Sequence, residues 1–215
     1  MPSYRPGSYR RIIRDSAMSD TAGSLYLPDG AQIDVVANLY TCVAGDLFAY
    51  PFLITEPTIY AMGCKVEQVG ATGTSSVRVG IYDDMAGPGG TPSGYPQCLR
   101  IDGGLTALTA SSAVKALGNI YRPLYPGLWW LVFGTATLNV ASTLRTIFGP
   151  NPMLPSWNGT LNGVVRPIAW KVTGQTLTSN LPSSFPSGGA LVGCAGGTFA
   201  SGSAAPLVSL MLNVF

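Results

Sequence analysis

The sequence predicts an antiparallel β-sandwich, and three observations carry that prediction. Apolar residues recur in short alternating runs, as in Val77 to Tyr82 (VRVGIY), the pattern of strands with one buried face. These runs are separated by breakers: Gly and Pro number 27 and 17 of 215 residues, which excludes a mostly helical chain. No long helical pattern alternates with the strands, so parallel βαβ architectures are disfavoured, and no fixed repeat indicates a solenoid or propeller.

Taken in order, the first forty or so residues sustain neither a strand nor a helix period and read as an extended arm, with one short helical turn near Arg11 to Ala17. Arg5, Arg10, Arg11 and Arg14 place four positive charges in the first fourteen residues with no acid among them. A basic, weakly patterned terminus of this kind docks on something or frays. The docking reading makes residues 1–44 an attachment and assembly arm and residues 45–215 the β-sandwich domain.

From Asp46 the pattern becomes β. Phe48 to Ile54 (FAYPFLI) is a strand with Pro51 at an edge or bulge. Ile59 to Val69 follows, then a Gly70 to Gly73 turn and the strand Val77 to Tyr82. Asp83 to Gln97 is a Gly/Pro loop and Cys98 to Asp102 a short strand, whereas Leu105 to Leu117 fits no single pattern. A turn at Leu124 to Gly127 leads into Leu128 to Phe133 (LWWLVF), the most apolar segment and the expected central strand. Adjacent strand residues face opposite ways, so only one of Trp129 and Trp130 can fill a given core layer. Further strands are expected near Val140 to Ile147, Val164 to Val172, Ala190 to Cys194 and Leu207 to Phe215.

Composition narrows function. With no histidine, Ser-His-Asp and Cys-His catalysis and His-ligated metals are excluded within the chain. A net charge of +2 is too small for an electrostatic nucleic-acid binder, and no apolar run reaches the ~20 residues that span a bilayer. The opening MPSYRPGSYRRIIRD lacks the apolar stretch of a secretory signal. A monomer of this mass exposes about 9,400 Å². Twelve basic and ten acidic residues give 22 charges, or one per ~430 Å² of that surface. So sparse a surface, if not simply rich in Ser, Thr, Asn and Gly, is buried against other subunits. The expected assembly is a homotrimer.

Candidate chemistry is thin. Asp83 and Asp84 enter a Gly-rich loop as calcium ligands can, yet match no EF-hand, and adjacent acids more often sit in a solvated turn. Glu56, Glu67, Asp83, Asp84 and Asp102 show no spacing that favours a glycosidase pair. No phosphate-binding loop or nucleophile elbow is present. Gly188, Gly189, Gly193, Gly196 and Gly197 read as turns or close strand packing. Asn158 to Thr160 matches the glycosylation tripeptide, which without a signal segment carries little. Cys42, Cys64, Cys98 and Cys194 match no zinc spacing and read as buried free thiols, with intersubunit disulfides the alternative. The aromatics serve core and interface more readily than sugar stacking. Trp157, in the loop NPMLPSWNGT, and Tyr95 are the places where a ligand ring would stack. No cofactor is expected.

The succession FAYPFLI, IYAMGCKVEQVG, VRVGIYDD, a GPGGTP loop and LYPGLWWLVF resembles the β-sandwich domain of tailed-bacteriophage structural proteins of the tail-fibre, appendage or head-decoration type. The resemblance spans roughly Asp46 to Phe133 and runs more loosely to the C-terminal LVSLMLNVF; the arm and the Pro-rich stretch Gly149 to Pro155 depart from it. It implies a jelly-roll-like sandwich and a non-enzymatic role on the virion, assembled in the host cytoplasm. The expected partners are copies of itself and other virion proteins of capsid, tail or fibre. A carbohydrate- or receptor-binding module of a tail fibre, reading a host-surface glycan, is the alternative. No catalytic residue carries over.

Overall fold

A computed structural model describes residues 9–11, 24–28, 32–33, 39–54, 59–68, 74–84, 94–109, 113–117, 122–148, 165–195, 205–206 and 208–214. These residues are all-β, contain no helix, and form two antiparallel sheets.

The larger sheet follows the path β1 (Tyr9–Arg11), β2 (Ser24–Pro28), β16 (Val208–Val214), β6 (Ile59–Gln68), β12 (Thr143–Phe148) and β15 (Ala205–Pro206). Beside that path, β3 (Gln32–Ile33) and β4 (Leu39–Thr41) pair with β12, while β9 (Ala113–Leu117) and β10 (Arg122–Leu124) pair with β6. The described parts of the N-terminal forty residues are thus strands, with β2 laddered onto β16 from Tyr26↔Leu210 to Ser24↔Leu212. Arg11 ends β1; the rest of the expected helical turn lies outside the described residues.

The smaller sheet has the order β14 (Ala190–Ala195), β13 (Val165–Val172), β5 (Leu47–Ile54), β11 (Gly127–Val140), β7 (Thr74–Asp83) and β8 (Leu99–Ala107). The LWWLVF segment opens β11, flanked on both sides by pairing strands as expected. It runs antiparallel to β5 from Gly127↔Ile54 to Gly134↔Leu47, and to β7 from Trp129↔Asp83 to Val140↔Thr74. Its β-branched and aromatic residues suit a strand buried on both faces. The C-terminal strand runs likewise lie within a residue or two of expectation, except that β12 begins at Thr143. β8 is longer than predicted, because a bulge carries it past Gly103. The registers Gly80↔Asp102 and Arg78↔Leu105 leave one extra residue on β8, and Gly104 takes φ +83° there, as a bulge requires.

Register sorts the core. Leu47, Ala49, Tyr82, Trp130, Val132 and Val172 share one face and form a buried cluster with Leu177, Leu181 and Phe185. Those last three residues come from an irregular segment, 173–189, that straps this face between β13 and β14. Two glycines seat it. A Cβ on Gly134 would lie 2.6 Å from Leu177 Cδ1, and one on Gly80 would lie 2.4 Å from Leu181 Cδ1. The strap's leucines therefore occupy notches that only glycine leaves in the sheet. On the opposite face Phe48, Tyr50, Phe52, Val79, Ile81, Leu131 and Phe133 are buried. There the Tyr50 hydroxyl donates to the Pro206 carbonyl of the larger sheet at 2.8 Å, and Tyr40 meets Phe48 edge to face at 5.1 Å.

Candidate functional site

Apart from the exposed Arg122, the described charged side chains gather at three places, and each holds chain segments together. The first fastens the strap. Arg78, on β7 and only 7% exposed, points from the strap-bearing face. Its Nε donates to the Leu177 carbonyl at 2.7 Å, and its Nη2 donates to the Thr178 carbonyl at 3.1 Å and to that of Ser179. Its Nη1 donates to both Asp102 oxygens at 3.1 and 3.2 Å. The bulge explains the aim of Asp102, whose carboxylate also accepts from the N–H groups of Gly104 (2.8 Å) and Leu181 (2.9 Å). A planar fork that meets carbonyls and a carboxylate together suits guanidinium and not ammonium. Farther along the strap, Tyr82 donates to the Pro182 carbonyl at 2.6 Å, while the N–H of Leu99 reaches the Ser183 carbonyl and that of Phe185 the Gln97 carbonyl, each at 2.8 Å. Burial, with Asp102 nearby, pushes the Tyr82 phenol well above its usual range.

The second place corrects the solvated-turn reading of Asp83 and Asp84. Both are buried, at 7% and 1% exposure. Asp83 accepts from the Cys98 N–H at 3.1 Å and from Arg100 Nε at 2.6 Å. Asp84 accepts from Trp130 Nε1 at 3.0 Å and the Gly94 N–H at 3.2 Å. Adjacent strand-end residues face opposite ways, so the pair clamps both ends of its loop, one acid on each face. Among the described residues no three metal-ligating side chains gather.

At the third place Asp46, 1% exposed, accepts from the Tyr40 hydroxyl at 2.8 Å and lies 2.8 Å from Lys171 Nζ. The ammonium stands 5.3 Å from the Phe48 ring centroid, an added cation–π attraction. Burial, then the Asp46 charge, drives the Tyr40 phenol far above its ordinary value.

The expected ligand-stacking residues separate. Tyr95 is half-buried, with its ring edge to face against Trp170 (5.0 Å) and Phe185 (5.5 Å). Its hydroxyl donates to the Pro186 carbonyl at 2.6 Å and accepts from the Gly189 N–H at 3.2 Å. A Cβ on Gly189 would lie 2.7 Å from that hydroxyl, and Gly188 has φ +81°; the first two glycines of the Gly-rich patch are a turn and a close approach. Trp157, Asn158, Glu56, Arg5 and Arg14 lie outside the described residues, as do the side chains of Arg10, Arg11 and Glu67. Cys42 and Cys98 are free thiols, the former buried, while the side chains of Cys64 and Cys194 lie outside the described residues.

Sequence reasoning passed over the strap and its latch. One signal was present: Leu177, Leu181 and Phe185 repeat at every fourth position, but among Pro182, Pro186, Gly188 and Gly189, which forbid the helix such spacing would suggest. No protein-family model, curated protein or solved structure matches the chain.

Proposed function

We propose that the chain is a non-enzymatic structural subunit of a bacteriophage virion, on the particle exterior as a capsid-decoration, collar or fibre component. In this reading the two sheets face each other as a jelly-roll-like sandwich. Residues 1–44 attach it to other virion proteins, and the working unit is a homotrimer. The observation that carries the reading is how the charges are used. Asp46, Asp83, Asp84, Asp102, Arg78 and Lys171 are all engaged in joining segments of the chain, as suits a durable subunit with a sparsely charged exterior. The bond from Tyr50 to Pro206 and the Tyr40–Phe48 contact, both linking residues of the two sheets, support the sandwich.

Two measurements test this. Light scattering on the purified chain should give three times 22.4 kDa, and a stable monomer at micromolar concentration would overturn the assembly. Immunogold labelling of purified particles should decorate their exterior, and unlabelled particles would remove the virion role. Saturable binding to a glycan array, lost in Trp157→Ala, would instead favour the receptor-binding module.

A further inference from the structure

The chain passes between the two sheets at two neighbouring places, and a buried polar cluster lies where they meet. Residues 42–46 lead from β4 to β5, and residues 141–142 lead from β11 to β12. The Cys42 N–H donates to the Ser142 carbonyl at 2.8 Å, and the Gly45 N–H donates to the Thr135 carbonyl at 2.9 Å. The side chains of Cys42, Ser75, Thr135 and Ser142 are all shut away from solvent, none more than 2% exposed.

Their hydrogen bonds do not balance. Ser75 Oγ accepts from the Ser142 N–H at 3.1 Å and makes a long contact of 3.4 Å to the Val140 carbonyl. Thr135 Oγ1 and Ser142 Oγ are fully buried and make no hydrogen bond of good geometry among the described residues. The Cys42 thiol is the hydrogen-bonding neighbour of the Thr135 and Ser75 hydroxyls, and a thiol is only a weak donor and a weak acceptor. Two buried hydroxyls with no partner better than a thiol run against the near-complete pairing of native interiors.

We propose that a single ordered water molecule binds here, bridging Thr135 Oγ1, Ser142 Oγ and the Cys42 thiol, and ties the two crossings together. Water matches the chemistry of the set. Hydroxyls offer both donor and acceptor, buried waters make two to four such bonds, and the cluster holds no formal charge that would call for an ion. Burial pushes the Cys42 thiol up to about 11, so it stays protonated and is no ligand for a soft metal near neutrality.

The sign of a stability change tests the proposal in the full-length chain. Thr135→Val keeps the shape and removes the hydroxyl. If the water is present, the change strands it and should raise the unfolding equilibrium constant about tenfold. Ser142→Ala should do the same, and the double variant should cost less than the two singles combined, because both act through one water. If the site is dry, each substitution deletes an unsatisfied hydroxyl, and unchanged or increased stability would overturn the proposal. Oxygen-17 magnetic relaxation dispersion on the unaltered protein gives a second readout. A long-lived water lost in Thr135→Val is expected, and an identical dispersion in the two proteins would overturn the proposal even if a variant failed to fold.

Discussion

Arg78 grips main-chain carbonyls, so its loss leaves several acceptors unmet and strips the Asp102 carboxylate of its counter-charge. Removing one partner of a buried ion pair costs about 3–5 kcal/mol, and Arg78→Met should fall in that range in urea unfolding. Arg78→Lys should recover little of it, because a point charge cannot meet the Leu177 and Thr178 carbonyls and Asp102 at once. The buried thiol and phenols set the alkaline limit. Cys42 rises from 9.0 to about 11, and Tyr40 and Tyr82 are raised above their ordinary 10.0. A group with a folded pKa above its unfolded value contributes stability below the unfolded pKa and loses it as pH rises through the folded one. Stability should therefore decline from pH 9.0, at about 1.4 kcal/mol per pH unit for each group that ionises only in the unfolded chain. In Cys42→Ala the onset should move up toward 10.0, where the tyrosines take over. Denaturant titrations from pH 8 to 11 would check both statements.

At the scale of elements, β11 and the strap make each other necessary. Trp130 is fully buried and donates to Asp84, whereas Trp129 is half-buried and donates to the Tyr125 carbonyl at an exposed site. Trp130→Ala should cost about 3–5 kcal/mol, and Trp129→Ala much less; similar small losses in both would contradict the packing. Gly134→Ala should loosen the strap selectively, since the new methyl meets Leu177 Cδ1 and Leu47 Cδ1 within 2.8 Å. Hydrogen exchange at Leu181 and Phe185 should quicken while the amides of β5 and β11 stay protected. The strands were legible because their signals are local: the alternation of VRVGIY and the unbroken apolar run LWWLVF declare themselves within six residues. The strap was not, because its identity depends on notches at Gly80 and Gly134, about 40 to 100 positions away in the chain. Asp83 and Asp84 misled for a related reason, since a Gly-rich context resembles a solvated turn until Trp130 and Arg100 arrive from elsewhere.

For the molecule as a whole, the strap covers a face that the proposed assembly could otherwise use. One face of the smaller sheet already lies beneath Leu177, Leu181 and Phe185, so a trimer would have to form through edges, loops or the larger sheet. Removing residues 1–44 tests the proposed division of the chain. It deletes β1 to β4, of which β2 bridges β1 and β16 while β3 and β4 pair with β12. A truncated chain that folds cooperatively but fails to join its parent particle would support a separable arm. One that does not fold would place those strands within the domain.

The latch leaves a further mark on what this surface can become. Arg78 reads the strap by its carbonyl oxygens alone, and the side chains of Thr178, Ser179 and Asn180 stand exposed above it. Since every residue type offers the same carbonyl, those three positions can change in size, charge or hydrogen-bonding character while the backbone beneath stays gripped. They form a variable plot on a fixed foundation, suited to displaying an epitope or a chemical label.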